Sequence, residues 1–307
     1  MTSASTSTTT SSDAVGVAAL PGGPSRRERL GELVRSHKLA TLGAGFLGLL
    51  VLAALLGPAL APYDENATDI PNRLDAPSWA HPFGTDELGR DVLSRVLLGC
   101  RVSLQVGLIA VGISLVAGVL VGLLAGYYRG RVDDVLMRLM DMLFAFPAIL
   151  LAIAILAVLG PGLSNAMIAI GIVYTPIFAR VTRASVLSVR EEVYVRASRS
   201  VGAGDLRILR QHVLPNVAAP IIVQASLSLA FAILSEAALS FLGLGVQPPA
   251  PSWGRMLFDG RDFVDLAWWM GFFPGLAIFL TVLSFNAVGD ALRDALDPQR
   301  RSALEVR

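Results

Sequence analysis

"YVRASRSVGAGDLRILRQHVLPN", residues 194–216, stands between two long apolar runs. It carries Arg196, Arg199, Arg207 and Arg210, has glycines at 202 and 204, and ends on Leu-Pro-Asn. Residues 191–201 suit a helix, with Val193, Ala197 and Val201 spaced along one side. Gly202 and Gly204 permit a turn. Asp205 is the expected N-cap of a second helix over 206–214, and Pro215 the expected boundary before the next apolar run. Helix, glycine, helix predicts a compact, positively charged knob. A solvated loop accounts for the charge but not for that order. Small side chains at Ala197 and Ser198 leave room for another protein's surface to approach closely.

The flanking runs set the class. The chain has 307 residues, 54% hydrophobic and 16% charged, with mean hydropathy +0.62. A soluble domain carries about 25% charged residues. Net charge is +1, so no broad basic field points to nucleic acid. One cysteine, Cys100, excludes an internal disulfide framework and a cysteine-rich metal site. Three histidines offer no metal-ligand or Ser/His/Asp cluster.

Six apolar runs are long enough to cross a bilayer: 39–61, 102–126, 135–159 broken by Pro147, 163–187 with Pro176, 217–242 and 267–288. The expectation is an all-α polytopic membrane protein. Residues 1–37 read as a Ser/Thr-rich disordered tail followed by a basic amphipathic stretch, "RRERLGELVRSHK". Residues 38–61 form the first span, 62–101 a long outer loop, 102–290 the remaining membrane domain with the charged loop 190–215, and 291–307 a second tail.

Arginine placement orients the spans. The N-terminal stretch, the loop at 127–132, the knob and the C-terminus with Arg293, Arg300, Arg301 and Arg307 fall on one side when six spans are counted. That side is expected to be the cytoplasm, with both termini in. Arg95 and Arg101 run against the rule, lying on the outer side close to the second span.

Charged groups inside spans are costly and point to function. Asp141 is expected near a cytoplasmic span end, paired with Arg138 or a neighbouring chain. Glu236 is expected deeper, lining a path, binding a substrate amine or, above all, pairing with an outer arginine such as Arg101. Arg180 and Arg183 are expected to snorkel to the interface. Trp79, Trp253, Trp268 and Trp269 suit an interfacial belt or a docking rim.

Residues 194–216 resemble the EAA loop of ABC importer membrane subunits. In that family an Ala-Ala pair precedes a glycine, and an apolar motif ending in Leu-Pro follows. Here Arg196-Ala197-Ser198, Gly202 and His212–Pro215 keep the spacing, with Arg196 in place of the leading Glu, Ser198 of the second Ala, and His212 of an apolar residue. "HPFGTDELGRDVLSRVLLGCRVSL" (81–104), "LSEAALSFLGLGVQPPAPSWGRML" (234–257) and "FNAVGDALRDALDP" (285–298) resemble dipeptide and oligopeptide permeases, specifically the second permease of the pair. The resemblance covers about 38–298. It implies a type I importer permease fold, a homologous second permease as heterodimer partner, two cytoplasmic ATPase subunits and an extracytoplasmic binding protein, in a cell membrane. It further implies that Tyr194, Arg196, Ala197, Ser198, Gly202, Asp205, Arg210, His212 and Pro215 couple to the ATPase. Trp79, His81, Asp86 and Trp253 are then candidates for the binding-protein contact or the translocation mouth. The function it implies is an ATP-driven importer of peptides, of the dipeptide or oligopeptide type, with nickel, glutathione or haem as the alternative substrates of the same architecture.

Lys38 is the only lysine, and it follows Ser-His, so no phosphate-binding G-x-x-x-x-G-K-[ST] loop is present. The expectation is a transport subunit without its own ATPase site or cofactor, ATP and Mg belonging to partner subunits. A stand-alone secondary transporter is the rival class, but no internal repeat supports it.

Overall fold

The computed structural model describes residues 38–296, all within one compact unit. Residues 1–37 and 297–307, with the expected N-terminal tail and Arg300, Arg301 and Arg307, lie outside the described residues.

The apolar runs are helices, the form in which a chain in hydrocarbon satisfies its own backbone groups. The order is α1 (Lys38–Leu60), α2 (Val92–Tyr128), α3 (Gly130–Phe144), α4 (Ala148–Leu159), α5 (Leu163–Val189), α6 (Val193–Ser200), α7 (Asp205–Ile208), α8 (Leu214–Phe241), α9 (Trp253–Gly260) and α10 (Trp269–Leu296). Among the described residues, five stretches are long and apolar enough to cross a membrane, with Asp205–Phe241 counted as one. The pair α3 and α4 supplies a sixth if taken together. Leu39, Leu42 and Leu55 on α1 and Leu108, Val116 and Leu120 on α2 are more than half exposed. An apolar exterior of that extent belongs in lipid.

Several expected boundaries move. α2 begins ten residues before the expected start at 102, because Asp91 caps it: its carboxylate accepts from Ser94 N at 2.8 Å and from Ser94 Oγ at 2.7 Å. The outer loop therefore ends near Asp91 rather than at 101. α10 runs on to Leu296, so 291–296 are helix rather than tail. The break at Pro147 is a corner rather than a kink: α3 and α4 meet at 91°.

Pro215 does not end a helix. It stands at the first turn of α8, directly after a π-helical turn, Leu209–Val213, and the helix runs unbroken from Asp205 to Phe241. The wider π turn takes up the proline ring and its missing donor.

The tightest packing joins α2 to α5. Gly118, Gly122 and Gly126 recur every four residues on one stripe of α2. A Cβ at Gly122 would lie 2.5 Å from Ala179 O, and one at Gly126 2.8 Å from Val186 Cβ. Backbone therefore meets backbone, as in small-xxx-small helix pairs of membranes. Phe178, Ile170 and Val186 from α5 bury beside Val106 and Ala110 from α2 in the larger core cluster. A second cluster, with Leu50, Val96, Trp253, Met256, Trp269 and Ile278, holds α1, α9 and α10 together at the end where α2 begins.

Candidate functional site

The knob at residues 193–213 is built from two short helices at the end of the bundle where α2 finishes. α6 ends because Gly202 turns left-handed, φ +81, and Gly202 N then donates to Arg199 O at 3.0 Å. No atom lies within 4 Å of where its Cβ would be. The demand for glycine there is set by the backbone angle, not by space. Val195, Ile208 and Val213 point inward and are buried. Val193, Val201 and Leu206 point outward, 71%, 84% and 79% exposed, with Ala197 exposed between them.

The base of the knob is fastened to α2. The Tyr127 hydroxyl donates to Asp205 Oδ1 at 2.7 Å. The Arg199 guanidinium lies 5.2 Å from the Tyr127 ring centroid, and Arg190 Nη1 donates to Tyr127 O at 2.5 Å. Asp205 is thus not an N-cap: Gly204 holds that position without a side-chain cap bond, and the Asp205 carboxylate turns to Tyr127. The Tyr194 and His212 rings meet edge-on at 6.3 Å, and Asn216 Nδ2 donates to His212 O at 2.6 Å. Tyr194, Arg196, Gly202, Asp205, Arg210 and Pro215 are exposed, while Ser198 and His212 are half-buried. Sequence reasoning missed Tyr127 and Arg190. Nothing in the linear chain ties Tyr127 to a carboxylate 78 positions later.

At the opposite end, the four residues expected at a mouth divide. Trp79 is fully exposed. His81 Nδ1 meets Asp91 Oδ1 at 2.9 Å. Asp86 is buried, accepting from Arg90 Nε at 2.6 Å and lying 3.7 Å from Arg95 Nε. Trp253 is buried, its indole donating to Val96 O at 2.9 Å. Trp269 likewise donates to Thr85 O at 3.0 Å. Asp86, Trp253 and Trp269 therefore shape the loop, and neither Trp253 nor Trp269 forms an interfacial belt. The same network explains Arg95 near the span: Asp86 offsets its charge, and the Glu65 carbonyl accepts from Nη1 at 2.9 Å.

The in-span charges find other partners than expected. Asp141 pairs with Arg180 at 2.7 Å, not with Arg138, and the Arg180 guanidinium lies 4.1 Å from the Phe144 ring centroid. Arg183 does not merely snorkel but grips Asp133 with two nitrogens, at 2.5 and 2.6 Å. Glu236 is 1% exposed and meets no arginine among the described residues. Ser240 Oγ donates to its Oε1 at 2.7 Å and accepts from Val246 N at 3.1 Å. Glu236 thus anchors the turn after α8 instead of facing a path.

Residues 118–302 match the family model described as binding-protein-dependent transport system inner membrane component. Residues 34–77 match the N-terminal TM domain of oligopeptide transport permease C. The chain is 50% identical, over 91% of its length and 94% of the relative's, to the di/tripeptide transport system permease protein DppC of Pseudomonas aeruginosa. It is 49% identical to the dipeptide transport system permease protein DppC of Alkalihalophilus pseudofirmus, over 88% of each chain. The glutathione transport system permease protein GsiD of Pectobacterium atrosepticum is 46% identical over 90% of this chain and 92% of its own. In fold, 66% of the chain superposes on 96% of a chain of the inward-facing MetNI methionine ABC transporter, with TM-score 0.55 and 19% identity. The chain belongs to the inner membrane components of binding-protein-dependent transport systems, as a multi-pass ABC permease of the dipeptide/oligopeptide group.

Proposed function

We propose that this chain forms half of the path through which an ATP-driven importer passes short peptides, beside a homologous second permease. One of two ATPase subunits docks on the knob, and an extracytoplasmic binding protein delivers substrate at the loop end. The observation that carries this reading is the outward stripe of Val193, Ala197, Val201 and Leu206 on a knob whose base is fastened to α2. Apolar side chains held outward in series are a contact surface for protein. A surface fixed to a long helix converts a push into a tilt of that helix. ATP and Mg then belong to the ATPase partners, and the permease contributes no catalytic group. Peptides are the proposed substrate because the named relatives include di/tripeptide and dipeptide permeases. Glutathione, itself a tripeptide, is the second reading, supported by the GsiD relative.

Reconstitution in liposomes with the second permease, the ATPases and a loaded binding protein tests the proposal. Labelled di- and tripeptides are expected to enter only with ATP. Uptake by the lone chain on an ion gradient overturns it. The proposed orientation puts the knob in the cytoplasm, and a cysteine at the exposed position Ser188 is then closed to impermeant reagents added outside intact cells.

A further inference from the structure

A groove of about 360 Å³ opens on the outer flank of the molecule between α1 and α2. Its walls are apolar, with Val51 and Leu55 from α1 and Leu104 and Leu108 from α2. Two polar side chains, Arg101 and Gln105, also line it. Among the described residues, neither side chain has a hydrogen-bond or ion-pair partner. Three other arginines at this end are matched: Arg90 by Asp86 and Glu87, Arg95 by Asp86, and Arg255 by Asp259. Arg101 is left over at the membrane boundary, where the apolar run of α2 begins at Val102.

We propose that this groove holds one anionic diacyl phospholipid, with its phosphate on Arg101, an ester carbonyl on Gln105 and an acyl chain along the apolar walls. The order of the groups carries the assignment. Gln105 lies one helical turn deeper than Arg101, about 6 Å along the axis. Cation, amide donor and apolar trough thus follow one another in the sequence phosphate, glycerol ester, hydrocarbon. Guanidinium is the side chain suited to forked phosphate contacts, and an Arg at a span end reaches the headgroup level. An anionic headgroup is favoured over a zwitterionic one, whose own ammonium competes for the phosphate. Free phosphate has no use for the apolar walls.

Native mass spectrometry of the full chain, titrated with phosphatidylglycerol and with phosphatidylcholine of the same acyl chains, tests the site. One phosphatidylglycerol should bind about fivefold tighter than phosphatidylcholine, the contribution of one basic residue at an anionic surface. Arg101→Gln should erase the preference, whereas Arg73→Gln, at an exposed position in the loop, should leave it. Ala54 on α1 also lines the groove, and Ala54→Phe should fill it and weaken both lipids. Leu108→Trp, at a 65% exposed position, gives the same outcome should the first variant fold poorly. Equal affinity for the two lipids in the wild type overturns the proposal, as does a preference that survives Arg101→Gln. It is equally overturned if a photoreactive residue at 105 captures the second permease in the co-purified pair and no lipid is retained.

Discussion

The Tyr127 hydroxyl donates to Asp205 Oδ1 at 2.7 Å, joining the last turn of α2 to the first helical residue after the glycine turn. Tyr127→Phe keeps the ring under Arg199 and removes the hydroxyl that bonds Asp205. A stability loss of about 1 kcal/mol is expected, since Asp205 is exposed and can turn to water. Hydrogen exchange at 203–208 should quicken while exchange along α5 does not change. Unaltered exchange at 203–208 would show that the bond does not hold the knob.

Gly202→Val forces a β-branched residue to φ +81, at a cost of about 1–3 kcal/mol. Gly202→Asn should cost less, because asparagine tolerates that region. Ala197→Glu changes a position that is exposed in the chain alone and should leave the melting curve intact. In the proposed complex with the ATPase it places a charge in the contact. Gly202→Val and Ala197→Glu should both insert normally, yet lose the ATPase on co-purification. Retention of the ATPase and wild-type uptake by both variants would reduce the knob to a charged loop.

Gly122→Leu has no room: its Cβ alone would sit 2.5 Å from Ala179 O. Backbone cannot step aside as a side-chain tip does, so a loss of about 3 kcal/mol is expected. Gly45→Leu, with nothing within 4 Å of its Cβ, is the control and should be close to neutral. Thermal melts of the two purified variants compare them directly.

Glu87 lies in the outer loop against Asp86 and Asp259, and burial, then the Asp86 charge, push its carboxyl above the ordinary value of 4.5. The folded protein therefore holds that proton more tightly than the unfolded chain does. Its contribution is most favourable at low pH and falls as pH rises from 4.5 through the raised value. Glu87→Gln, neutral throughout, should remove that fall. It should also gain melting temperature relative to wild type at neutral pH, with the gain vanishing on acidification. A constant difference across the range would count against the account.

The class and most of the spans were legible because hydrocarbon imposes a length on apolar runs. Gly202 was legible too, since the turn it makes depends on its own residue type. Boundaries set by side-chain chemistry were not. Asp91 starts α2 early because Ser94 lies three residues on, a cap hidden inside what read as loop. Pairings were least legible. Arg180 with Asp141 and Arg183 with Asp133 join positions 39 and 50 apart, and only the 91° corner brings α3 across α5. Trp253 and Trp269 read as interfacial because tryptophan often is, yet each found a carbonyl acceptor inside the fold.

The 37 residues of α2 run without interruption from the Asp91 cap to the tyrosine that grips the knob. At 1.5 Å per residue that is a beam of about 55 Å, longer than the hydrocarbon it crosses. Welded to α5 along its glycine stripe, it can neither shorten nor bend freely there. A tilt of about 10° about that seam swings the distant loop end by several ångströms while the knob end, close to the pivot, barely shifts. A movement too small to notice at the knob is thereby magnified at the far end of the same helix, with no messenger between the two except its stiffness.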